Sequence, residues 1–181
     1  MILDAAAQLL RSRSYEGLTV RALADSVGIK SGSIYHHFAS KDEIVGEVVV
    51  EGVRVVLEAV QAALAALPLD ATPRQRLEVA VKHHLLSSLE HSNYTSASIR
   101  SFAYLPPTVQ ATCKLARRRY EDLWRALIQS ALDGGLLAPG VSPESVRLLL
   151  LGAVNWAGEW YRQDKMDIDT IAHDFVASVM H

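Results

Sequence analysis

Apart from Ser40, the stretch from Lys30 to Lys41 gathers two ammonium groups, two hydroxyls, a phenol and two adjacent imidazoles: Lys30, Ser31, Ser33, Tyr35, His36, His37 and Lys41. What these groups can do is donate and accept hydrogen bonds at base edges and phosphates, from a helix thin enough to enter a major groove. Ile29, Ile34 and Phe38 face inward, which leaves the polar set outward. An ordinary helical corner with a solvated face fits the same spacing, so spacing alone leaves both readings open.

The other reactive side chains form no catalytic pattern. There is no glycine-rich phosphate loop, no H-E-x-x-H pair and no nucleophile elbow, and His83, His84 and Cys113 have no spacing of a triad or metal site. The single cysteine excludes an intrachain disulfide and any multi-cysteine metal centre. The sequence therefore predicts no enzyme, no catalytic residue, no metal and no cofactor. The run Arg117 to Arg119 is most simply a solvated face.

These residues need elements to hold them, and helical spacing recurs almost from end to end. A first helix over 2–12 carries Ile2, Leu3, Ala6, Leu9 and Leu10 on one face. Thr19 reads as the N-cap of a short helix with Val20, Leu23, Ala24 and Val27 as its apolar stripe, and Gly28 ends it in the left-handed conformation. A second short helix spans 31–38. Two helices this short are unstable alone, so they must pack on the first, where small Ala24 permits a close crossing. Ser40 with Glu43 makes a capping box for a long helix to about Leu67.

Thr72 and Pro73 open another long segment to about His91. Pro106-Pro107 and Gly134-Gly135 delimit a helix of roughly 25 residues. Ser142-Pro143 opens a helix to Tyr161, and Asp167 or Asp169 caps the last one. The expectation is an all-α chain of about nine helices, with an N-terminal three-helix bundle containing a helix-turn-helix and a C-terminal helical domain. The division falls at residues 1–45 and 46–181.

Composition agrees. Of 181 residues half are hydrophobic, 7% are aromatic and 21% charged, which suits a helical globular chain. Net charge is -2, so bulk charge gives no support for nucleic-acid binding, and the case rests on where particular residues point. The start Met1-Ile2-Leu3-Asp4 lacks a basic leader, and the apolar run Leu148 to Val154 is too short to cross a bilayer. A cytoplasmic protein without a membrane partner is expected.

The stretch Ser31-Gly-Ser-Ile-Tyr-His-His-Phe-Ala-Ser-Lys41, preceded by Gly17-Leu-Thr-Val-Arg-Ala-Leu-Ala24, resembles the signature of the tetracycline-repressor (TetR) family. The resemblance implies a dimeric transcriptional repressor that reads a palindromic operator and is released by a small effector. It places Arg21, Ser31, Gly32, Tyr35 and His36 where members touch bases. Thr19, Ser33, Tyr35, His37 and Lys41 fall where members hold phosphates, with Lys30 on the same outward face. Members usually carry a basic extension before the first helix, and this chain begins almost at that helix.

The segment Arg147-Leu-Leu-Leu-Leu-Gly-Ala-Val-Asn-Trp-Ala-Gly-Glu-Trp-Tyr161 is apolar nearly all round and must be covered on more than one side. With the last helix it can form half of a four-helix dimer interface, where Gly152, Ala153, Ala157 and Gly158 allow close approach. An internal core helix is the plainer alternative.

Polar and aromatic residues that fit a plain core poorly mark a candidate small-molecule pocket. They are His84, Arg100, Tyr104, Arg118, Trp124, Asn155 and Trp156, with His83, Tyr94, Phe102 and Tyr120 in the same set. The element Asn155-Trp156-Ala-Gly-Glu-Trp160-Tyr161-Arg162 is similar to a subgroup of TetR-type repressors that govern fatty-acid, steroid-ring or aromatic-acid breakdown. That resemblance implies a hydrophobic or acyl-CoA-like effector. Aromatics would take the acyl part, and Arg100 or Arg117 to Arg119 would pair with phosphates. A drug-responsive efflux regulator, an activator and a helical adaptor with the same fold are the competing expectations.

Overall fold

Short capped helices and two long ones build the chain. The computed structural model describes residues 1–137 and 140–180. Among the described residues there are nine α-helices, and the only pairing of extended backbone is an isolated antiparallel bridge between Leu137 and Met180. The described residues divide into two compact units, Met1–Val55 with Ser92–Arg118, and Val56–His91 with Arg119–His181.

In the first unit lie α1 (Ile2–Gly17), α2 (Val20–Val27), α3 (Ser31–Tyr35), the start of α4 (Lys41–Ala65), α6 (Asn93–Ser101), a 3-10 turn (Phe102–Tyr104) and the start of α7 (Pro107–Asp133). α1 runs past the expected end and kinks at Ser14, whose φ is 63°. Leu10, Leu18, Leu23, Ile34, Ile44 and Val48 are buried together at its centre, so α1 supplies the support that α2 and α3 lack alone.

The segment 92–106, which carries no apolar periodicity, is nevertheless helical. The reason is visible in what its hydroxyls do: Thr95 Oγ1 donates to the Gly52 carbonyl at 3.3 Å and Ser98 Oγ to the Val49 carbonyl at 3.1 Å. α6 is thus bonded onto α4 by small polar residues rather than by an apolar stripe. The approach is close because Gly52 has no side chain; a Cβ there would lie 2.3 Å from the Tyr94 carbonyl oxygen. On α1, Arg11 Nη1 donates to Asn93 Oδ1 at 3.0 Å and the Tyr94 hydroxyl to Asp4 Oδ1 at 3.0 Å.

The second unit holds the rest of α4 and α7 together with α5 (Pro73–Leu86), a π-helical turn (Ser87–His91), α8 (Pro143–Trp160) and α9 (Ile168–Ala177). Thr72 and Gln75 cap α5 reciprocally, with Pro73 in the first turn. Asp167 accepts from Thr170 N at 2.8 Å to start α9. α5 packs against both α8 and α9. Among the described residues no helix is long and apolar enough to cross a membrane.

Candidate DNA-reading face and buried polar cluster

Thr19 Oγ1 accepts from the Ala22 backbone N–H at 3.0 Å, a cap that contributes about 1 kcal/mol to α2. Gly28 ends that helix at φ 75°, and the Ile29 N–H returns to the Ala24 carbonyl at 3.0 Å. This left-handed turn fixes where α3 begins. α3 is shorter than the expected 31–38: it closes at Tyr35, and the N–H groups of His37 and Phe38 both reach the Ile34 carbonyl as the chain turns toward α4. Phe38 is partly buried against the core there.

Ile34 is fully buried and anchors α3. Around it Lys30, Gly32, Ser33, Tyr35, His36 and His37 are exposed, Tyr35 by 57%, and Ser31 is half-buried. Arg21 on α2 and Thr19 at its cap are exposed as well. The Thr19 oxygen serves the cap while its O–H stays able to donate.

Lys41, half-buried at the start of α4, sits with Nζ 4.0 Å from the centroid of the Tyr15 ring. The Tyr15 hydroxyl donates to Asp42, and that bond, helped by partial burial, pushes the phenol up to about 12. Tyr104 stacks on the same ring, centroids 6.0 Å apart and planes 10° apart. Lys41 is therefore held in place by a residue that sequence reading left out. The only sequence signal for Tyr15 was an aromatic at the end of α1.

The residues named for a ligand separate. Arg100 and Arg118 are exposed on α6 and α7, Tyr104 is 60% exposed at Tyr15, and Arg117 lies over the Phe102 ring at 4.0 Å. Three others come together inside the second unit. His84 on α5 and Trp124 on α7 are buried, their ring centroids 6.4 Å apart, and Asn155 on α8 interacts with the imidazole.

Tyr120, one turn before Trp124 on α7, completes the group. His84 Nδ1 and the Tyr120 hydroxyl are 2.7 Å apart, and the Tyr120 and Trp124 rings meet edge to face at 6.2 Å. The i, i+4 spacing of Tyr120 and Trp124 was a legible signal that they share a face. Burial lowers the His84 pKa to about 4, against a smaller opposing pull from Asn155, so the imidazole is neutral near pH 7. Burial likewise raises the Tyr120 phenol. Asn155 is the polar neighbour of the imidazole on its other side, and the Tyr120 hydroxyl is the polar neighbour of the Trp124 indole N–H.

Trp156 is apart from this cluster in exposure, at 65%. It belongs to a face of α8 on which Leu148, Leu149, Gly152 and Trp156 are exposed, opposite the buried row Val146, Leu150, Val154 and Ala157. An open cleft of about 540 Å³ also lies along α5 and α9. None of the candidate ligand residues lines it; within it Lys82 pairs with Asp169 at 2.6 Å and His173 Nδ1 lies 3.1 Å from Glu78.

A helix-turn-helix on a three-helix support, followed by a helical domain with a buried polar cluster, defines a class of DNA-binding regulators, and comparison with known proteins makes the class specific. Residues 2–48 match the model for bacterial regulatory proteins of the tetR family, and residues 70–181 match the tetracyclin repressor-like C-terminal domain. The chain belongs to the TetR family. It is a transcriptional regulator of that family rather than an enzyme.

The HTH-type transcriptional repressor KstR2 of Rhodococcus jostii strain RHA1 is 26% identical over 189 aligned positions, covering 99% of this chain and 87% of the relative. The crystal structure of PfiT, described as a superantigen, is 30% identical with a TM-score of 0.81 and covers 99% of this chain and 94% of PfiT. AibR, solved in complex with isovaleryl coenzyme A and operator DNA, shares the fold at a TM-score of 0.85 and 24% identity, covering 98% of this chain and 95% of AibR.

Proposed function

We propose that the chain acts as a homodimer on a palindromic operator in the cytoplasm and is released from it by a small acyl-CoA-like effector. The observation that carries the DNA part is α3, where one buried residue, Ile34, leaves Lys30, Ser33, Tyr35, His36 and His37 exposed together. Arg21, Ser31, Gly32, Tyr35 and His36 are assigned to bases. Thr19, Ser33, Tyr35, His37 and Lys41 are assigned to phosphates, which set the register. Residues 1–45 form the reading segment and 46–181 the effector and dimerisation part.

The dimer reading is supported by the exposed α8 face, since Leu148, Leu149 and Trp156 are each more than half exposed in the single chain. A contiguous apolar face of this kind is unfavourable in water and calls for a cover. A second copy supplies it with two-fold symmetry, which is also what a palindromic site requires.

The effector reading is supported by the buried His84, Tyr120, Trp124 and Asn155 group, and by the descriptions of KstR2 as a repressor and of AibR as an isovaleryl-CoA complex. Ligand shifts a population toward a form in which α4 has moved and the two recognition helices no longer match successive major grooves. It does so only by its differential affinity for the two forms.

The test is an operator titration by gel shift and footprinting, with and without isovaleryl-CoA and hexanoyl-CoA. The expected outcome is a footprint lost on saturation with a thioester and kept with bare CoA. Full operator affinity in ligand-saturated protein would overturn the induction mechanism. The likeness to PfiT favours one rival, a role in protein contacts, and the absence of any sequence-specific footprint would support it.

A further inference from the structure

We infer that Tyr15 is a positioning residue for DNA binding: the face of its ring holds the Lys41 ammonium ready for a phosphate before the duplex arrives. This rests on the DNA reading above, in which Lys41 is assigned to a phosphate, and adds the residue that readies it.

Three contacts converge on this ring. Lys41 Nζ stands 4.0 Å from the ring centroid, well within the range at which the electron-rich face attracts a cation. The hydroxyl donates to Asp42, which fixes the ring within its own plane. Tyr104 stacks on it with planes 10° apart, which fixes its tilt. The phenol, pushed up to about 12, keeps the proton that makes the Asp42 bond. The backbone is bent to deliver the ring: Ser14, immediately before it, has φ 63° and ψ 178°, a conformation that suits glycine and breaks the helical path of α1.

The consequence is entropic. A long lysine side chain samples many rotamers, and ordering one on contact with a partner weakens binding. Over the Tyr15 ring that ordering takes place on folding instead. The ring attracts the ammonium without cancelling its charge, and among the described residues no carboxylate is ion-paired with it. Asp42, the next residue along, is engaged by the Tyr15 hydroxyl. The ammonium has three N–H donors and the ring covers one side of it, so the other donors are available to a phosphate oxygen.

The experiment uses the full chain and a duplex that the wild type enriches from a random-sequence pool, beside an unselected duplex of the same length. Affinity is read by fluorescence anisotropy at a temperature where every variant is folded. Lys41→Gln should weaken binding to both duplexes and lower the salt slope by about one per bound copy. Tyr15→Leu should weaken both by about two- to tenfold per copy, the effect of ordering one long side chain on contact. Tyr15→Phe, which keeps the ring face, should stay within about twofold of the wild type, and in the Lys41→Gln background Tyr15→Leu should add less than about twofold.

An equal loss from Tyr15→Leu with and without Lys41 would show that the tyrosine acts through the fold, and would overturn the inference while leaving the DNA reading standing. Tyr15→Phe as weak as Tyr15→Leu, or Lys41→Gln with an unchanged salt slope, would overturn it too. If no duplex were enriched and the unselected one did not bind, the DNA reading and this inference would fall together. Should Tyr15→Leu fail to fold, the wild type still decides. With ¹³C-labelled lysine, assigned by Lys41→Gln, the Lys41 ε-methylene protons should lie upfield of those of the other lysines and stay there when the duplex is added. A Lys41 signal among those of the exposed lysines would overturn the inference.

Discussion

Gly52→Ala tests the tightest helix crossing in the first unit. The added Cβ would stand 2.3 Å from the Tyr94 carbonyl oxygen and 2.6 Å from Ser98 Cβ. Ordinary contact needs about 3.5 Å or more, so α6 must retreat from α4 by roughly 1 Å. Overpacking of this kind costs about 1 to 3 kcal/mol. The retreat also stretches the Thr95 and Ser98 bonds to the α4 carbonyls, now 3.3 and 3.1 Å, each contributing about 1 kcal/mol. Alanine's better helix propensity offsets about 1 kcal/mol. The net expectation is a loss of about 2 to 4 kcal/mol, read as a lower midpoint in urea at fixed protein concentration. Gly32→Ala is the control, because nothing lies within 4 Å of the Cβ it would add, and it should leave the midpoint unchanged or slightly raised. If Gly52→Ala were as stable as the wild type, the close docking of α6 on α4 would be wrong.

Tyr35→Ala should abolish operator binding by gel shift and leave the urea midpoint within about 0.5 kcal/mol, since the side chain is 57% exposed; retained binding would remove α3 as the recognition element. Trp156→Glu should convert the proposed dimer to a monomer in sedimentation velocity while the chain stays helical, and an unchanged sedimentation coefficient would overturn the α8 interface. Folding lowers the His84 pKa from 6.5 to about 4, so between those values the unfolded chain binds a proton that the folded chain does not. This contribution to stability is full above pH 6.5 and falls as pH drops toward 4, by about 3 kcal/mol in all. His84→Gln should flatten the stability profile across that window, and an identical slope in both proteins would show that the imidazole is not buried neutral.

The turn joining α2 and α3 was legible because its information is local. Thr19 as a cap, Gly28 as a left-handed turn and Ile34 as the inward residue of α3 are decisions made within a few residues, by sterics and by backbone groups that need partners. The same holds for the capped starts of α5 and α9, where Thr72, Pro73 and Asp167 write the boundary into the chain. Exposure of Leu148, Leu149 and Trp156 beside a buried row on α8 is likewise consistent with a segment too apolar to be covered on one side only.

α6 was not legible, because Asn93 to Ser101 has no apolar period and is helical only where Gly52 and Val49 offer it a docking surface. Seven residues shared the chemistry of a ligand site, yet helix phase and loop path put Tyr104 on Tyr15 and left Arg100, Arg118 and Trp156 exposed, while His84, Trp124 and Asn155 converged with Tyr120. Sequence by itself determined the capped starts of α2, α5 and α9 and the Gly28 turn, since these depend on neighbours in the chain. Which distant side chains meet depends on how α5, α7 and α8 pack, and only the tertiary structure decided that.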